Sequence, residues 1–461
     1  GLTMISFEGY NDLIEKVYQS GNEHVFAFWD SLTIDQKRHL LQELSLINFD
    51  ELNALYALTK KQVVPMEFEP APFSRLPQTQ EEYKEFEKAR LVGIDTIKTG
   101  KVAAFVVAGG QGSRLGFDGP KGVFPIGPVS NKTLFQIHAE KIKAYEIKFG
   151  IDIPWCIMTS EANHNATVEY FENNNYFNLN KSKVFIFKQN MLPSLDEHGK
   201  LILESPYSIF RNPDGHGGSL TALHQSGTLE QLLKLGIEVL SYFQVDNPLV
   251  KIIDPVFIGF HVLHHAEVSS KTLKKAYPEE KIGVFVKFSN GRVGVVEYSD
   301  MPQEKLYEKD EKGNLRYLAG SIAIHLFNTQ FIKSITKSNI TLPFHVAKKS
   351  IPQYTHKGKI NITGFKFEKF VFDALPLTER NFILETIREE EFAPVKNKTG
   401  VDSVYTAQEL MINLYKKWLV QKNIPVPKVV EKIEISPLFA VESDDIPDFL
   451  ALPQQKEVYI S

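Results

Sequence analysis

Between Ala108 and Gly122, six glycines (Gly109, Gly110, Gly112, Gly116, Gly119 and Gly122) are interleaved with two cations, Arg114 and Lys121. A turn without side chains reaches positive φ and lets successive main-chain N–H groups approach a polyphosphate, while the two cations offset its charge. The chemistry this implies is the holding of a nucleoside triphosphate. The stretch matches neither the GxxxxGK[ST] nor the GxGxxG pattern, which argues against a P-loop kinase or a dehydrogenase. The alternative from these residues alone is a glycine-rich turn that only packs on its sheet. A second chemical position is Asp246, which ends the apolar run Val239–Val245 and precedes Asn247 and Pro248. A carboxylate there can hold magnesium against triphosphate oxygens, since hard cations take oxygen ligands; it can equally cap a turn.

Both positions depend on strands to place them. Val102–Val107 is short, apolar and rich in Val and Phe, and reads as a central parallel strand ended by the glycines. Further runs at Ile153–Thr159, Val184–Phe187, Val239–Val245, Ile282–Phe288 and Val293–Tyr298 alternate with helical patterns at Thr133–Ile142, Ala162–Phe171 and Leu229–Leu235. That alternation predicts a layered α/β fold, in which ligands meet the loops at the carboxyl ends of strands. Phe7–Val17 and Leu32–Ile47 return apolar residues at helical spacing, and Pro65, Pro70, Pro72 and Pro77 then interrupt the pattern. We therefore expect a mainly helical amino-terminal unit over 1–99, a catalytic domain over 100–387 and a small mixed α/β unit over 388–461, the last carrying a helix at Val404–Leu414. Gly1–Thr3, ahead of Met4, are set aside from this reading.

Composition narrows the function classes. A chain of 461 residues, 43% hydrophobic, has material for a large core in two or three units. Its net charge of −4 gives no general electrostatic reason to bind nucleic acid. The one cysteine, Cys156, excludes an intrachain disulfide and sits in a strand-like setting. Neither a secretory leader nor a membrane-length apolar run is present, so the expectation is a cytoplasmic protein without membrane partners. His264-His265 and the charged run Lys305–Lys312 read as structural or solvated segments.

The glycine loop resembles the nucleotide loop of the eukaryotic UDP-N-acetylhexosamine (UDP-N-acetylglucosamine) pyrophosphorylases. Similarity runs from about Val102 to Lys396. It includes Ile153-Pro154-Trp155 with Met158-Thr159-Ser160, Gln189–Pro193, Pro213–Gly218, Val245-Asp246-Asn247, Val296–Ser299 and Glu368–Asp373. The ordered set is far more specific than any one member. It implies a central Rossmann-like nucleotidyltransferase domain with a mixed sheet, flanked by the helical and mixed units above. The implied reaction is reversible uridylyl transfer from UTP to N-acetylglucosamine 1-phosphate, giving UDP-N-acetylglucosamine and pyrophosphate. The resemblance further implies that magnesium is required, that another divalent cation such as Mn2+ can substitute, and that no organic cofactor is tightly bound.

Residue by residue, the resemblance implies catalytic roles for Arg114, Lys121 and Lys396, and a metal role for Asp246. Nucleotide contacts fall to Gly109, Gly110, Gln189, Met191, Pro193 and Gly215, where an amide such as that of Gln189 can read the donor and acceptor edge of uracil. Sugar contacts fall to His216, Asn247, Gly283, Glu297, Ser321, Lys366, Phe370 and Phe372. Two positions depart from the family, which usually has asparagine where this chain has His216 and Ser321. These departures bear on discrimination among N-acetylglucosamine, N-acetylgalactosamine and glucose phosphates. The alternatives are a broad-specificity UDP-sugar or UDP-glucose pyrophosphorylase, and a non-catalytic UDP-sugar-binding protein. Oligomeric state is not legible.

Overall fold

The computed structural model describes residues 4–61, 65–338 and 341–461, so Gly1–Thr3 lie outside it. Packing divides the chain into two compact units, neither continuous in sequence. The larger comprises Met66–Gln189, Ser219–Thr341 and Phe372–Ser461; the smaller comprises residues up to Pro65, Asn190–Gly218 and Leu342–Val371.

The larger unit is framed, among the described residues, by a ten-stranded mixed sheet. Val239–Gln244, Val102–Val107, Trp155–Thr159 and Val184–Lys188 lie side by side and parallel. Ala319–Asn328 continues the sheet antiparallel beyond Val239–Gln244 and in turn pairs with Val268–Lys274 and Val284–Phe288. Val102–Val106 are buried, as a parallel strand covered on both faces requires. From Val102–Val107 the chain winds outward to Trp155–Thr159 and Val184–Lys188, whereas Val239–Gln244 inserts on the other side. The order therefore reverses between Val102–Val107 and Val239–Gln244. Val107 stands level with Gln244, so both strands release their loops into the same crevice, the place where open α/β sheets bind ligands.

The helices are started and stopped by local chemistry. Thr133 Oγ1 accepts the Gln136 N–H (3.1 Å), and Leu134–Phe149 runs on past the expected end at Ile142 until Gly150 adopts a left-handed φ of 66°. Thr79 and Glu82 form a capping box that opens Gln80–Lys98. This helix crosses Pro255–Leu263 at two glycines: a Cβ on Gly93 would lie 1.7 Å from the Pro255 carbonyl oxygen, and one on Gly259 lies 1.6 Å from that of Ala89. The contact places Gln80–Lys98 in the larger unit rather than with the amino-terminal helices. The strand expected over Val293–Tyr298 ends at Val296, because the N–H groups of Asp300 and Met301 turn back onto the Glu297 carbonyl (3.0 and 3.1 Å). Val284–Phe288 likewise starts two residues late.

The carboxy-terminal stretch is mixed α/β, with helix Val404–Gln421 and a parallel pair, Lys432–Ile435 with Glu457–Ile460. Its buried Met411, Ile433 and Ile435 share one apolar core with Val102, Val106 and Ile142. In the smaller unit, helices Asn11–Gln19, Ile34–Ser45 and Phe49–Leu58 bury Ile14, Val17, Leu40, Leu41 and Leu44 against Leu195, Leu201 and Phe367. Phe367 comes from a long hairpin, His345–Thr355 with Gly358–Glu368, to which Leu195–Asp196 adds a third strand. The linear partition at residues 99 and 387 differs from this arrangement because the amino-terminal helices complete their core with segments from far along the chain.

Candidate active site

Beyond Val107 the glycine stretch folds back on itself. Ala108 N–H still reaches across the sheet to the Met158 carbonyl (2.8 Å); Gly112 N–H then donates to Gly119 O (2.9 Å) and Lys121 N–H to Gly110 O (3.0 Å). These bonds close the loop over 110–121. Arg114, in the turn Ser113–Leu115, is exposed while Leu115 beside it is buried as the anchor. Lys121 is half-buried, with its Cε 3.9 Å from where a Cβ on Gly110 would stand. Neither cationic side chain donates a hydrogen bond to, or forms an ion pair with, a described residue, so both charges are available to an anion.

Asp246 leaves the neighbouring strand at the same end of the sheet and is 9% exposed. No hydrogen bond or ion pair from a described residue engages its carboxylate, while its main-chain carbonyl accepts the Val395 N–H (2.9 Å). Asn247 extends this seam: its amide donates to Glu391 O (2.8 Å) and accepts the N–H groups of Ala393 (3.0 Å) and Leu249 (3.2 Å). The segment 391–396 is thereby sewn along Asp246-Asn247, which brings Lys396 beside Asp246. Two of the Asn247 side chain's bonding positions serve this seam and a third the local turn to Leu249, leaving one N–H for the predicted sugar contact. Burial pushes the Asp402 carboxyl up, Lys396 draws it down and Asp246 pushes it further up, which puts all three in one electrostatic neighbourhood.

The layer beneath is polar and fixed. His138, fully buried on helix Leu134–Phe149, donates from Nε2 to the Val245 carbonyl (2.9 Å), and Lys141 donates to the carbonyls of Pro248 (2.6 Å) and Val250 (2.8 Å). Desolvation lowers His138 to about 3, so the ring is neutral. Lys271, also buried, pairs with Asp254 (2.6 Å) and with Glu391 at the start of the 391–396 segment. None of His138, Lys141 and Lys271 was singled out from the sequence; apolar or alternating neighbours conceal them. Lys398 is a further missed cation: its Nζ lies 3.6 Å from where a Cβ on Gly116 would stand, so the stretch after Lys396 lies against the glycine loop.

Of the predicted base-reading residues, Gln189 and Gly109 come together in the larger unit. Gln189 Oε1 lies 3.3 Å from where a Cβ on Gly109 would stand, and Gln189 N–H donates to Thr159 O (2.7 Å). Three predicted sugar contacts converge at the ends of adjacent strands. A Cβ on Gly283 would meet Glu297 Oε1 at 2.8 Å and Val295 Cγ1 at 2.6 Å, while Ser321 N–H donates to Gly283 O (2.8 Å). Gly283 is thus required by close approach, and its lack of a side chain leaves room for the Glu297 carboxylate.

The smaller unit holds a second group. Met191–Pro193 pairs with Arg211–Pro213, and the Pro213–Gly218 turn then nests on the end of the long hairpin. Gly215 has φ +85°, and Gly217 N–H donates to Lys369 O (2.8 Å). His216 Nδ1 accepts the Val371 N–H (2.9 Å), and its ring stacks on half-buried Phe370 at 5.3 Å, with His345 4.3 Å from the same phenyl ring. Lys366 is ion-paired to Glu368 (2.8 Å) on the hairpin strand. Phe372, assigned to the larger unit, is buried where the turn Val371–Leu377 begins. Cys156 is a buried free thiol, pushed up by desolvation and chemically quiet.

For a divalent cation the residues present fit at one point. Among the described residues no group of three His, Cys, Asp or Glu side chains is placed to hold a metal, so a cation at Asp246 would draw its remaining oxygens from phosphate and water. The unengaged Asp246 carboxylate suits that arrangement.

Residues 48–442 match the family model described as UTP–glucose-1-phosphate uridylyltransferase. UDP-N-acetylglucosamine diphosphorylase 2 of Arabidopsis thaliana is 33% identical over 460 residues, covering 94% of this chain and 90% of that protein. UDP-N-acetylhexosamine pyrophosphorylase-like protein 1 of Homo sapiens is 35% identical over 439 residues, covering 89% and 85%. Among solved structures, the uridine diphosphate N-acetylglucosamine pyrophosphorylase of Trypanosoma brucei superposes with a TM-score of 0.85 at 27% identity, covering 100% of this chain and 99% of that one.

Proposed function

The chain belongs to the UDP-N-acetylhexosamine pyrophosphorylase and UTP–glucose-1-phosphate uridylyltransferase family and is a nucleotidyl-transfer enzyme, and from that premise we propose that its sugar substrate is N-acetylglucosamine 1-phosphate. An oxygen of the sugar phosphate bonds to the α-phosphorus of UTP, and the bond from that phosphorus to the bridging oxygen breaks. Pyrophosphate leaves with the electron pair, and UDP-N-acetylglucosamine remains. The attacking oxygen is already anionic, so no covalent enzyme intermediate is needed. What the protein must supply is positioning and relief of charge repulsion. Arg114 and Lys121 do so from the glycine loop and Lys396 from the segment sewn to Asp246. Asp246 holds magnesium, which when bound screens the triphosphate oxygens. Gly109, Gly110 and Gln189 receive the uracil; Glu297 accepts a sugar hydroxyl beside Gly283 and Ser321.

The observation that carries this reading is the meeting of two unengaged loop cations, an unengaged carboxylate and Lys396 at the point where the sheet reverses its strand order. The choice of N-acetylglucosamine over glucose rests on the names of the relatives. No helix among the described residues is long and apolar enough to cross a membrane. The test is a coupled pyrophosphate-release assay with UTP and the 1-phosphates of N-acetylglucosamine, N-acetylgalactosamine and glucose, run on the parent and on His216→Asn. An asparagine oxygen can keep the bond to Val371 N–H but loses the imidazole face on Phe370, so the preference ratios should shift while turnover persists. A parent preference for glucose 1-phosphate would reject the substrate assignment, and identical ratios in both proteins would reject His216 as a selector.

A further inference from the structure

Asn163, the residue before helix His164–Asn173, is 1% exposed, and its side chain makes no cap to that helix. The amide faces the glycine loop instead. Nδ2 donates to the carbonyls of Ala108 (3.1 Å) and Gly110 (3.2 Å), and Oδ1 accepts the Ser160 N–H (2.8 Å). Asn163 N–H in turn donates to Ser160 Oγ (3.2 Å), and its carbonyl receives the Thr167 N–H (2.9 Å). The residue is fixed on every side, and its two amide hydrogens are committed to carbonyls that flank Gly109.

The consequence lies on the other face of the loop. In a trans peptide the carbonyl of one residue and the N–H of the next point in opposite directions. Holding the Ala108 and Gly110 carbonyls toward Asn163 turns the N–H groups of Gly109 and Gln111 away from it. A second observation supports a ligand on that far side: among the described residues, no hydrogen bond uses the N–H groups of Gly109, Gly110 or Gln111. The unpartnered N–H groups of Gly109 and Gln111 thus face one side together, where they can receive an anion or a carbonyl oxygen. The Gly110 carbonyl is held twice, by Asn163 Nδ2 and by Lys121 N–H, so the receptor's orientation is linked to the segment that carries Lys121.

We propose that Asn163 is a positioning residue for the nucleotide: it acts through the peptide planes of 108–111 to aim their N–H groups at UTP. This rests on the uridylyl-transfer reading. Asn163→Asp keeps the size and the acceptor for Ser160 N–H while removing both donors. At saturating sugar phosphate the KM for UTP should rise on the order of tenfold, as loss of two ordinary hydrogen bonds implies. The KM for N-acetylglucosamine 1-phosphate at saturating UTP should stay within about twofold, since no hydrogen bond of Asn163 goes to Gly283, Glu297 or Ser321. Asn163→Ser, which keeps one donor and is a milder change should the Asp variant fail to fold, should show a smaller rise in UTP KM alone. An unchanged UTP KM in a folded variant, or equal rises for both substrates, overturns the assignment. A parent that releases no pyrophosphate from UTP overturns the uridylyl-transfer reading together with this one, a result distinct from an active parent matched by its variants.

Discussion

Adding one methyl group at Gly283 tests whether the Gly283, Glu297 and Ser321 cluster receives the sugar. The new carbon would stand 2.6 Å from Val295 Cγ1 and 2.8 Å from Glu297 Oε1, against ordinary contact distances that begin at 3.4 Å. Something must move by about 0.8 Å on one side and about 0.6 Å on the other if both neighbours are to be cleared. Val295 is buried and β-branched on a paired strand, so it yields little; Glu297 lies past the strand end, half-buried, and its carboxylate gives way. Overpacking costs about 1–3 kcal/mol in stability, toward the lower end here because one neighbour is a flexible side chain. A displaced carboxylate loses a charge-assisted hydrogen bond to the sugar, about 1.5–3 kcal/mol, or roughly ten- to hundredfold in kcat/KM for the sugar phosphate. The assay is pyrophosphate release at saturating UTP with the sugar phosphate varied, beside Glu297→Gln as reference and a thermal melt as a check on folding. The reasoning fails if folded Gly283→Ala and Glu297→Gln both retain the parent's kcat/KM for N-acetylglucosamine 1-phosphate within about twofold.

Chelation of divalent cations should abolish turnover and magnesium should restore it, with Asp246→Asn lowering kcat/KM by roughly two orders of magnitude in a folded protein; full activity in solution shown metal-free by elemental analysis refutes this. A separate expectation concerns acid. His138 titrates at about 3 in the fold against 6.5 in the open chain, and His261 is lowered by burial to about 4. The unfolded chain therefore binds protons that the fold refuses, so stability is fully present above pH 6.5 and declines below it, by on the order of a few kcal/mol by pH 4. Urea midpoints at pH 7 and pH 4.5 measure the decline, and His138→Gln, which keeps a donor for Val245 O without titrating, should lessen it. An equal decline in that variant would clear His138 of the effect.

What could be read from the sequence follows the range of the contacts involved. The glycine loop and Asp246 were legible because their chemistry is local: glycines ending an apolar strand allow the tight fold-back and close approach that side chains would block, and a carboxylate after another strand lies at the strand's carboxyl end. Lys396 came only from resemblance, since nothing near it in sequence sets it apart from a surface lysine. Its position is made by Asn247, whose amide bonds a carbonyl 144 residues away. Asn163 is a sharper case. The helical pattern at Ala162–Phe171 takes it in as an ordinary helix residue, whereas the helix begins at His164 and the Asn163 side chain bonds Ala108, 55 residues back. The same reason explains the unit boundaries: the amino-terminal helices carry an apolar face whose partners, Leu195, Leu201 and Phe367, are scattered over two later segments, and no change in local composition marks them. Gly283, Glu297 and Ser321 become one site only through the pairing of Val284 with both Val296 and Gly320. Strand register therefore decides whether Glu297 faces a glycine or a side chain, and with it how much room the proposed sugar site has.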